Sequence, residues 1–170
     1  MKKIPLAEGV KLKSILSKKI QELITEIHQV SHAVVEKGQQ VQSSGRTITE
    51  VETELAQARK DSRLLDKLIY RANIDHTITF KGEELPIVEA IELASQLRAE
   101  AGLYKQLSQS QKEELYTASD SVIFYNVALY EPAQYRKRAV DVEKDAHRLS
   151  NLINAKNYQV DIEFDDSNYI

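Results

Sequence analysis

The sequence contains no cysteine. Disulfide bonds, thiolate metal sites and a cysteine nucleophile are therefore excluded within these residues, a pattern that suits a reducing compartment. Proline and glycine are also scarce, with three and five residues among 170. Because both residues interrupt regular structure, their scarcity favours a few long elements over a sheet fold with many turns.

Long apolar runs are missing as well. The longest apolar stretch, residues 122–130, has nine residues and contains Asn126, far short of a membrane-spanning helix. The N-terminus starts with two lysines, as a signal peptide does, but Glu8, Lys11 and Lys13 interrupt the apolar run that such a peptide requires. We therefore expect a cytoplasmic protein.

Charge and composition narrow the class of protein further. A net charge of -3 gives no overall attraction to nucleic acid or to an anionic membrane. A hydrophobic content of 42% with 29% charged residues is typical of globular chains and argues against disorder. The length predicts a single domain, residues 1–170, with a core of its own.

The first half of the chain has the heptad spacing of a helical hairpin, residues 1–73. A first helix is predicted over residues 6–35 and a second from Thr47, with a loop over residues 36–46. Thr47 and Glu50 form a capping-box pattern, and Asn73 is the expected C-terminal cap because Asn tolerates the left-handed conformation. The expected seams are Leu16, Ile20, Leu23, Ile27, Val30 and Val34, then Ile48, Val51, Leu55, Ala58, Ser62, Leu65, Ile69 and Ala72.

Residues 74–170 predict a strand–helix–strand–helix–strand order. The period changes within residues 71–82, RANIDHTITFKG, where HTITF predicts a strand and KGEE a turn. Pro86 suits the first turn of a third helix that runs to about Leu115. Its expected stripe is Val88, Ile91, Leu93, Leu97, Ala101, Tyr104 and Leu107.

Two further strands flank the last helix. Residues 121–130 predict a strand, Pro132 opens a fourth helix, and alternation over residues 158–164 predicts the final strand. The expected fold is mainly α: four long helices, with the three strands paired as one small sheet at one end. In that sheet, the HTITF strand would pair with residues 121–130 or 158–164.

Three stretches together resemble the septicolysin-like family of small bacterial proteins: LAEGVKLKSILSKKIQELITEI, RLLDKLIYRANIDHTITFKGEELPIVEAI and AVDVEKDAHRLSNLINAKNYQVDIEF. The family pattern has an Asn-containing helix end before an extended stretch and a new helix, matched by Asn73 and residues 86–91. Its last helix closes on Ile, Asn and an aromatic residue, matched by Ile153, Asn157 and Tyr158. The resemblance implies a protein of largely unassigned activity, and the family name implies a pore-forming cytolysin.

Two patterns could bind metal, and both have simpler interpretations. His28 and His32 lie four positions apart, but no third ligand has a suitable spacing, and Gln29 stands where the HExxH motif requires Glu. Carboxylates near the C-terminus could attract a hard cation, although an exposed strand face explains them equally well. These are Asp161, Glu163, Asp165 and Asp166. We expect no metal and no cofactor.

A basic stripe on the second helix raises the possibility of RNA binding. Arg59, Arg63, Lys67 and Arg71 step by four, as on the arm of a seryl-tRNA synthetase, but each step turns 40° beyond a full circle and acidic residues interleave. We favour salt bridges to glutamates of the first or third helix, and expect no nucleic-acid partner.

The sequence lacks the templates of catalysis. There is no Walker A motif, no dinucleotide-binding turn and no GxSxG, and adjacent Glu83 and Glu84 would point apart in an extended chain. We expect no enzyme and see no evident small-molecule substrate.

We favour a self-associating protein that acts through exposed heptad surface and strand edges, most simply as a two-fold dimer. Its possible interface residues are Leu64, Leu68, Tyr125, Tyr130 and Tyr135. A monomeric four-helix bundle is the plain alternative. The other functional alternatives are a pore-forming cytolysin, in which residues 120–130 refold into a bilayer, and an RNA-binding coiled coil.

Overall fold

The computed structural model describes residues 2–41, 45–119 and 122–170 and contains two compact units. The hairpin unit comprises Met1–His76 with Lys156–Ile170, and the inserted unit comprises Thr77–Ala155. The first boundary lies close to the expected one after residue 73, but the last 15 residues group with the helical hairpin instead of with the residues before them.

The hairpin unit is built on helices α1 (Leu6–Val30) and α2 (Ile48–Asp75). They run antiparallel, because Lys13 Nζ lies 2.7 Å from Asp66 and Lys19 Nζ lies 2.7 Å from Glu54. Their heptad seams face each other, and each fully buried leucine contributes about 1.5–3 kcal/mol. The predicted helical hairpin is confirmed. Its most deeply buried side chains include Leu12, Leu16, Leu23, Val51 and Leu65.

The first helix ends earlier than predicted. It stops at Val30 with Ser31 as its C-cap, and Val34, the last residue of the expected seam, is fully exposed. Val30 still packs on the cluster around Val51, near the start of α2. Since most helical stability comes from packing, α1 ends where its partner helix begins. Of the predicted loop, residues 42–44 lie outside the described residues.

The two ends of α2 differ in how well the sequence predicts them. The capping box is confirmed: Thr47 N donates to Glu50 Oε2 at 2.7 Å, and Glu50 N donates to Thr47 Oγ1 at 3.3 Å. The cap at Asn73 is wrong, because the helix continues to Asp75 and His76 ends it in an extended conformation. The His76 amide donates to the Ala72 carbonyl at 3.2 Å, so no left-handed residue is needed.

A two-stranded sheet completes the hairpin unit. Strand β1 (Lys3–Pro5) pairs antiparallel with β6 (Asp161–Glu163), with Ile4 opposite Ile162. The expected alternation is confirmed for Val160, Ile162 and Phe164, which are all buried, whereas Tyr158 is exposed and helical. β1 itself is too short to show an alternating pattern in the sequence.

The inserted unit begins with a tight hairpin of β2 (Thr77–Phe80) and β3 (Glu83–Pro86). Lys81 and Gly82 form its two-residue turn with φ of 51° and 84°, the conformation that matches the twist of adjacent strands. β2 therefore pairs with its immediate successor, and the predicted pairing with residues 121–130 or 158–164 is wrong. Pro86 ends β3 and precedes the third helix, instead of lying in its first turn.

Helix α3 (Ile87–Gln109) is shorter than predicted, because residues expected to continue it to Leu115 form β4 (Glu113–Ser119). Its buried side chains are Ile87, Ala90 and Ala94, whereas Val88 and Ile91 of the expected stripe are exposed. β4 pairs antiparallel with β5 (Val122–Val127). Ser121, where the predicted strand starts, lies outside the described residues.

Helix α4 (Pro132–Gln159) starts at the predicted proline. The mainly α fold with four long helices and a small β component is confirmed, but the strands form three separate two-stranded sheets within the described ranges instead of one. No helix in residues 2–41, 45–119 and 122–170 combines the length and apolar character needed to cross a membrane.

Candidate interaction surface

The β4–β5 hairpin is the most unusual surface of the inserted unit. Glu113 pairs with Val127 and Leu115 with Tyr125, after which the register shifts by one residue at Tyr116. Such a bulge bends a strand and strengthens its twist. At the base, Ala128 N donates to the Lys112 carbonyl at 2.9 Å, so the pairing extends beyond the strands themselves.

Every described side chain of the two strands is exposed, although most of them are apolar. Leu115 is 62% exposed, Tyr116 76% and Phe124 53%. Isolated apolar side chains are normal on a protein surface, but a contiguous apolar patch marks an interaction site. Two-stranded hairpins are also marginally stable without a packing partner. Other exposed apolar residues of the patch are Val122, Ile123, Tyr125, Val127 and Leu129.

The free edge of β5 lacks the features that protect natural edge strands. Residues 122–129, VIFYNVAL, contain neither a charged residue nor proline, the two devices that commonly prevent edge-to-edge pairing. β4 differs, because Glu113 and Glu114 place two carboxylates at its start. Of the two edges of this hairpin, β5 is therefore the one to which another strand can pair without a charged residue or a proline in the way.

Tyrosines hold the base of the hairpin to the helices of the same unit. Tyr130 OH donates to the Leu107 carbonyl at 2.9 Å, and its ring meets Tyr135 edge to face at 5.2 Å. Tyr135 contacts Tyr104 in the same way at 5.3 Å, and the Arg138 guanidinium lies 5.0 Å from both the Tyr104 and Tyr135 ring centres. A hydrogen bond to Glu100, followed by burial, raises the pKa of Tyr104.

The predicted interface residues consequently have different environments. Tyr125 lies on the exposed hairpin, whereas Tyr130 and Tyr135 are half-buried in contacts within the chain. Leu64 and Leu68 lie on α2 of the hairpin unit, where Leu64 is 43% exposed and Leu68 is half-buried. Of these five, Leu64 and Tyr125 offer exposed side chains to a partner.

The sequence reasoning missed β4, and with it Leu115 and Tyr116. The apolar period of α3 extends formally to Leu115, which hid the change of structure. The polar stretch SQSQ, residues 108–111, is the signal that the helix ends there, and two apolar segments on either side of residues 120–121 then indicate a hairpin.

The histidine pair is not brought together with a third ligand. His28 is exposed on α1, and His32 lies beyond its end, where its Nδ1 is 2.8 Å from Ser31 Oγ. Across the described part of the chain, no three His, Asp or Glu side chains form a group that could hold a metal ion.

The acidic C-terminal residues separate into two environments. Asp166 is buried and paired with Lys2, while Asp161, Glu163 and Asp165 are exposed. Hydrogen bonds from the Ser167 side chain and amide hold the pKa of Asp165 below its usual range.

The basic residues of α2 are exposed, and the prediction that they bridge to glutamates of other helices is wrong for Arg71. Arg71 Nε donates to Asp75 Oδ2 at 2.9 Å within the same helix. The observed bridges between α1 and α2 have the opposite polarity, with lysines on α1 and carboxylates on α2. In the inserted unit, Glu84 accepts a 2.6 Å hydrogen bond from Thr77 Oγ1 across the β2–β3 pair.

Comparison with known proteins gives a likeness of fold. No known protein-family model matches the chain, and no curated protein matches it. The structure is similar to the crystal structure of a functionally unknown conserved protein from Corynebacterium diphtheriae, with a TM-score of 0.63 and 23% sequence identity. The match covers 95% of this chain and 100% of that chain. At this level of identity, the similarity shows a shared fold.

Proposed function

We propose that this is a non-enzymatic, self-associating protein and that the β4–β5 hairpin is the contact between two copies. The observation that carries the proposal is the concentration of apolar side chains on a ribbon whose described side chains are all exposed. Each large apolar side chain that becomes fully buried on association contributes about 1.5–3 kcal/mol before the costs of binding.

A second copy of the chain is the partner that we propose, because β5 can pair with the β5 strand of that copy. Antiparallel pairing of β5 with β5 about a two-fold axis joins two ribbons into one four-stranded sheet and closes the assembly. No like charges meet, since the strand is uncharged. Opposed residues of an antiparallel pair have side chains on the same face, so a two-fold axis at the middle of Val122–Val127 can set Phe124 opposite Phe124 of the second copy. Such a cross-strand pair contributes about 0.2–1 kcal/mol.

Light scattering coupled to size exclusion tests the proposal from low to high micromolar protein. The wild type is expected to exceed the monomer mass of 19.4 kDa as concentration rises. Phe124→Asp places a charge on the uncharged edge and should return the mass to that of a monomer. Leu64→Asp is the matched control, because it charges an exposed leucine on α2, and it should associate like the wild type.

Two results would contradict the proposal. One is a wild-type mass that stays at 19.4 kDa throughout. The other is Phe124→Asp protein that associates normally, which would move the contact elsewhere; loss of association in Leu64→Asp would then indicate the α2 surface.

A lipid surface is the other environment that covers such a ribbon, and the resemblance to septicolysin-like proteins makes it the alternative outcome. Liposomes loaded with a dye distinguish the two. Monomeric wild-type protein that binds liposomes or releases dye at sub-micromolar concentration, with Phe124→Asp inactive, would replace the second copy by lipid as the partner.

A further inference from the structure

A groove of about 950 Å³ lies between α3 and α4 within the inserted unit. Its volume is at the upper end of the roughly 300–1,000 Å³ typical of ligand pockets. The helices are antiparallel, because Arg98 Nη1 donates to Ser150 Oγ at 3.1 Å while Tyr104 meets Tyr135 further along. These two contacts link α3 to α4.

The groove is open because the facing positions carry small side chains. Its lining residues recur every three or four positions on both helices, as Arg98, Ala101 and Lys105 do on α3, with Gly102 beside them. Leucines at such positions would close two antiparallel helices into a core. Ala139 and Ala146 stand opposite on α4 and are too small to fill the gap.

Gly102 is the residue that most clearly indicates a function for the open space between α3 and α4. It lies inside α3 with an ordinary helical φ, and a Cβ built on it would meet no atom within 4 Å. Glycine destabilises a helix interior relative to alanine. Neither a turn nor a close approach of the rest of the chain requires glycine here, so an occupant of the groove would explain it.

The charge around the groove indicates the kind of occupant. Arg98, Lys105 and Arg136 line it, with Glu143 as the one carboxylate among its lining residues. Within the described ranges, none of these three cations has a carboxylate oxygen within 4.0 Å. This local excess of positive charge occurs in a chain with a net charge of -3.

We propose that the α3–α4 groove binds a small anionic amphiphile. Lys105 and Arg136 directly follow Tyr104 and Tyr135, whose rings are in contact, so both cations lie at the same end of the groove. The acid group pairs with them there, because ammonium and guanidinium groups bind carboxylates and phosphates by charge-assisted hydrogen bonds. The apolar part covers Ala101, Gly102 and Ala139. This inference does not depend on the hairpin contact.

Titration calorimetry with four probes below their micelle-forming concentrations tests it. Dodecanoate and dodecyl phosphate carry the same chain on two acid groups; dodecyl maltoside lacks the charge, and inorganic phosphate lacks the chain. One or both anionic amphiphiles should bind at least tenfold more tightly than either other probe, and the tighter one identifies the acid group. No binding of either amphiphile, or equal binding of dodecyl maltoside or inorganic phosphate, would overturn the proposal.

Variants locate the binding in the groove. Lys105→Glu with Arg136→Glu should weaken binding at least tenfold, whereas Lys137→Glu with Lys144→Glu, exposed on α4 outside the groove, should not. Gly102→Leu should weaken it by filling the space, and Ser95→Leu, exposed on α3, is its control. Phe124→Asp should bind normally, and equal loss in that variant would assign the amphiphile to the hairpin instead. Circular dichroism and light scattering establish that helix content and association are retained, so failure here leaves the self-association result intact.

Discussion

Lys2 and Asp166, 164 positions apart, form an ion pair in which Lys2 Nζ donates to Asp166 Oδ1 at 2.7 Å and to Oδ2 at 3.0 Å. The Asp166 carboxylate is 8% exposed, whereas the lysine side chain is 60% exposed. The pair lies directly beside the β1–β6 sheet, where Phe164 N donates to the Lys2 carbonyl at 3.0 Å. The ion pair therefore links the segments that flank β1 and β6, in addition to the backbone pairing of the two strands.

Lys2→Ala should destabilise the hairpin unit by about 1–2 kcal/mol, because it leaves a buried carboxylate without its charged donor. Lys11→Ala is the matched control, since Lys11 pairs with the exposed Glu8 on the same helix and should leave the midpoint unchanged. Urea unfolding followed by circular dichroism measures both. Equal midpoints for Lys2→Ala and the wild type would show that the pair does not stabilise the sheet.

Thr47→Ala should cost about 1 kcal/mol, because the hydroxyl accepts the Glu50 amide at the start of α2. Thr49→Ala, at the second residue of the helix, should cost nothing and serves as the control. Thermal unfolding of the two variants gives the comparison. A Thr47→Ala protein as stable as Thr49→Ala would contradict a role for the cap.

The capping box also predicts a pH dependence. Hydrogen bonds from the Thr47 amide and side chain hold the pKa of Glu50 below its ordinary value of 4.5. A lowered folded pKa contributes stability above the ordinary value and loses it as pH falls through the lowered one. The difference in unfolding free energy between wild type and Glu50→Ala should thus be constant near neutrality and shrink in acid. A difference that is the same at pH 7 and at pH 3 would refute the assignment.

Tyr169 should give the opposite dependence at high pH. Its hydroxyl donates to Asp61 Oδ2 at 2.6 Å, and burial, followed by this bond, raises the pKa of Tyr169 above its ordinary value of 10.0. Tyr169→Phe should cost about 1 kcal/mol at neutral pH. Because the folded state favours the protonated hydroxyl, this contribution is present below the ordinary pKa and declines as pH rises above it. The chain has eight tyrosines and no tryptophan, so absorbance titration should show one late-titrating phenol fewer in the variant than in the wild type.

One substitution at two glycines should have different effects on stability. A Cβ on Gly9 would lie 2.6 Å from Ile162 Cδ1, because α1 approaches β6 closely at this point. Gly9→Leu should therefore cost about 1–3 kcal/mol through overpacking. Gly102→Leu meets open space and should be neutral or stabilising by up to about 1 kcal/mol, as a better helix former. Chemical unfolding of both variants decides, and similar losses would contradict this account of the two sites.

The elements predicted correctly are those whose signals are local or long. The heptads of α1 and α2 repeat often enough to fix the helical hairpin, and Thr47 with Glu50 marks a boundary by chemistry within four residues. Helix ends that depend on a packing partner were predicted at the wrong residue. α1 ends near the start of α2, and the sequence around Val34 does not show where the partner helix begins.

Strand pairing was the least predictable part. β1 has three residues, and its partner β6 lies at the far end of the sequence, so no local pattern connects Ile4 with Ile162. β4 was absorbed into a helical period that Leu115 happens to fit. The groove between α3 and α4 was equally hidden, because a small residue such as Gly102 signals an open space only once the opposite helix is known.

The pairing of Lys2 with Asp166 also has a consequence for synthesis on the ribosome. The hairpin unit is interrupted by Thr77–Ala155, so its first strand must wait for a partner made 164 residues later. At roughly 5–20 residues per second, this delay is on the order of 8–30 s. Throughout it, the nascent chain carries an unpaired β1, and for the last part also the apolar ribbon of β4 and β5. The order of translation therefore exposes the apolar β4–β5 hairpin before the hairpin unit is complete. During this interval, a chaperone that binds apolar segments would have access to it.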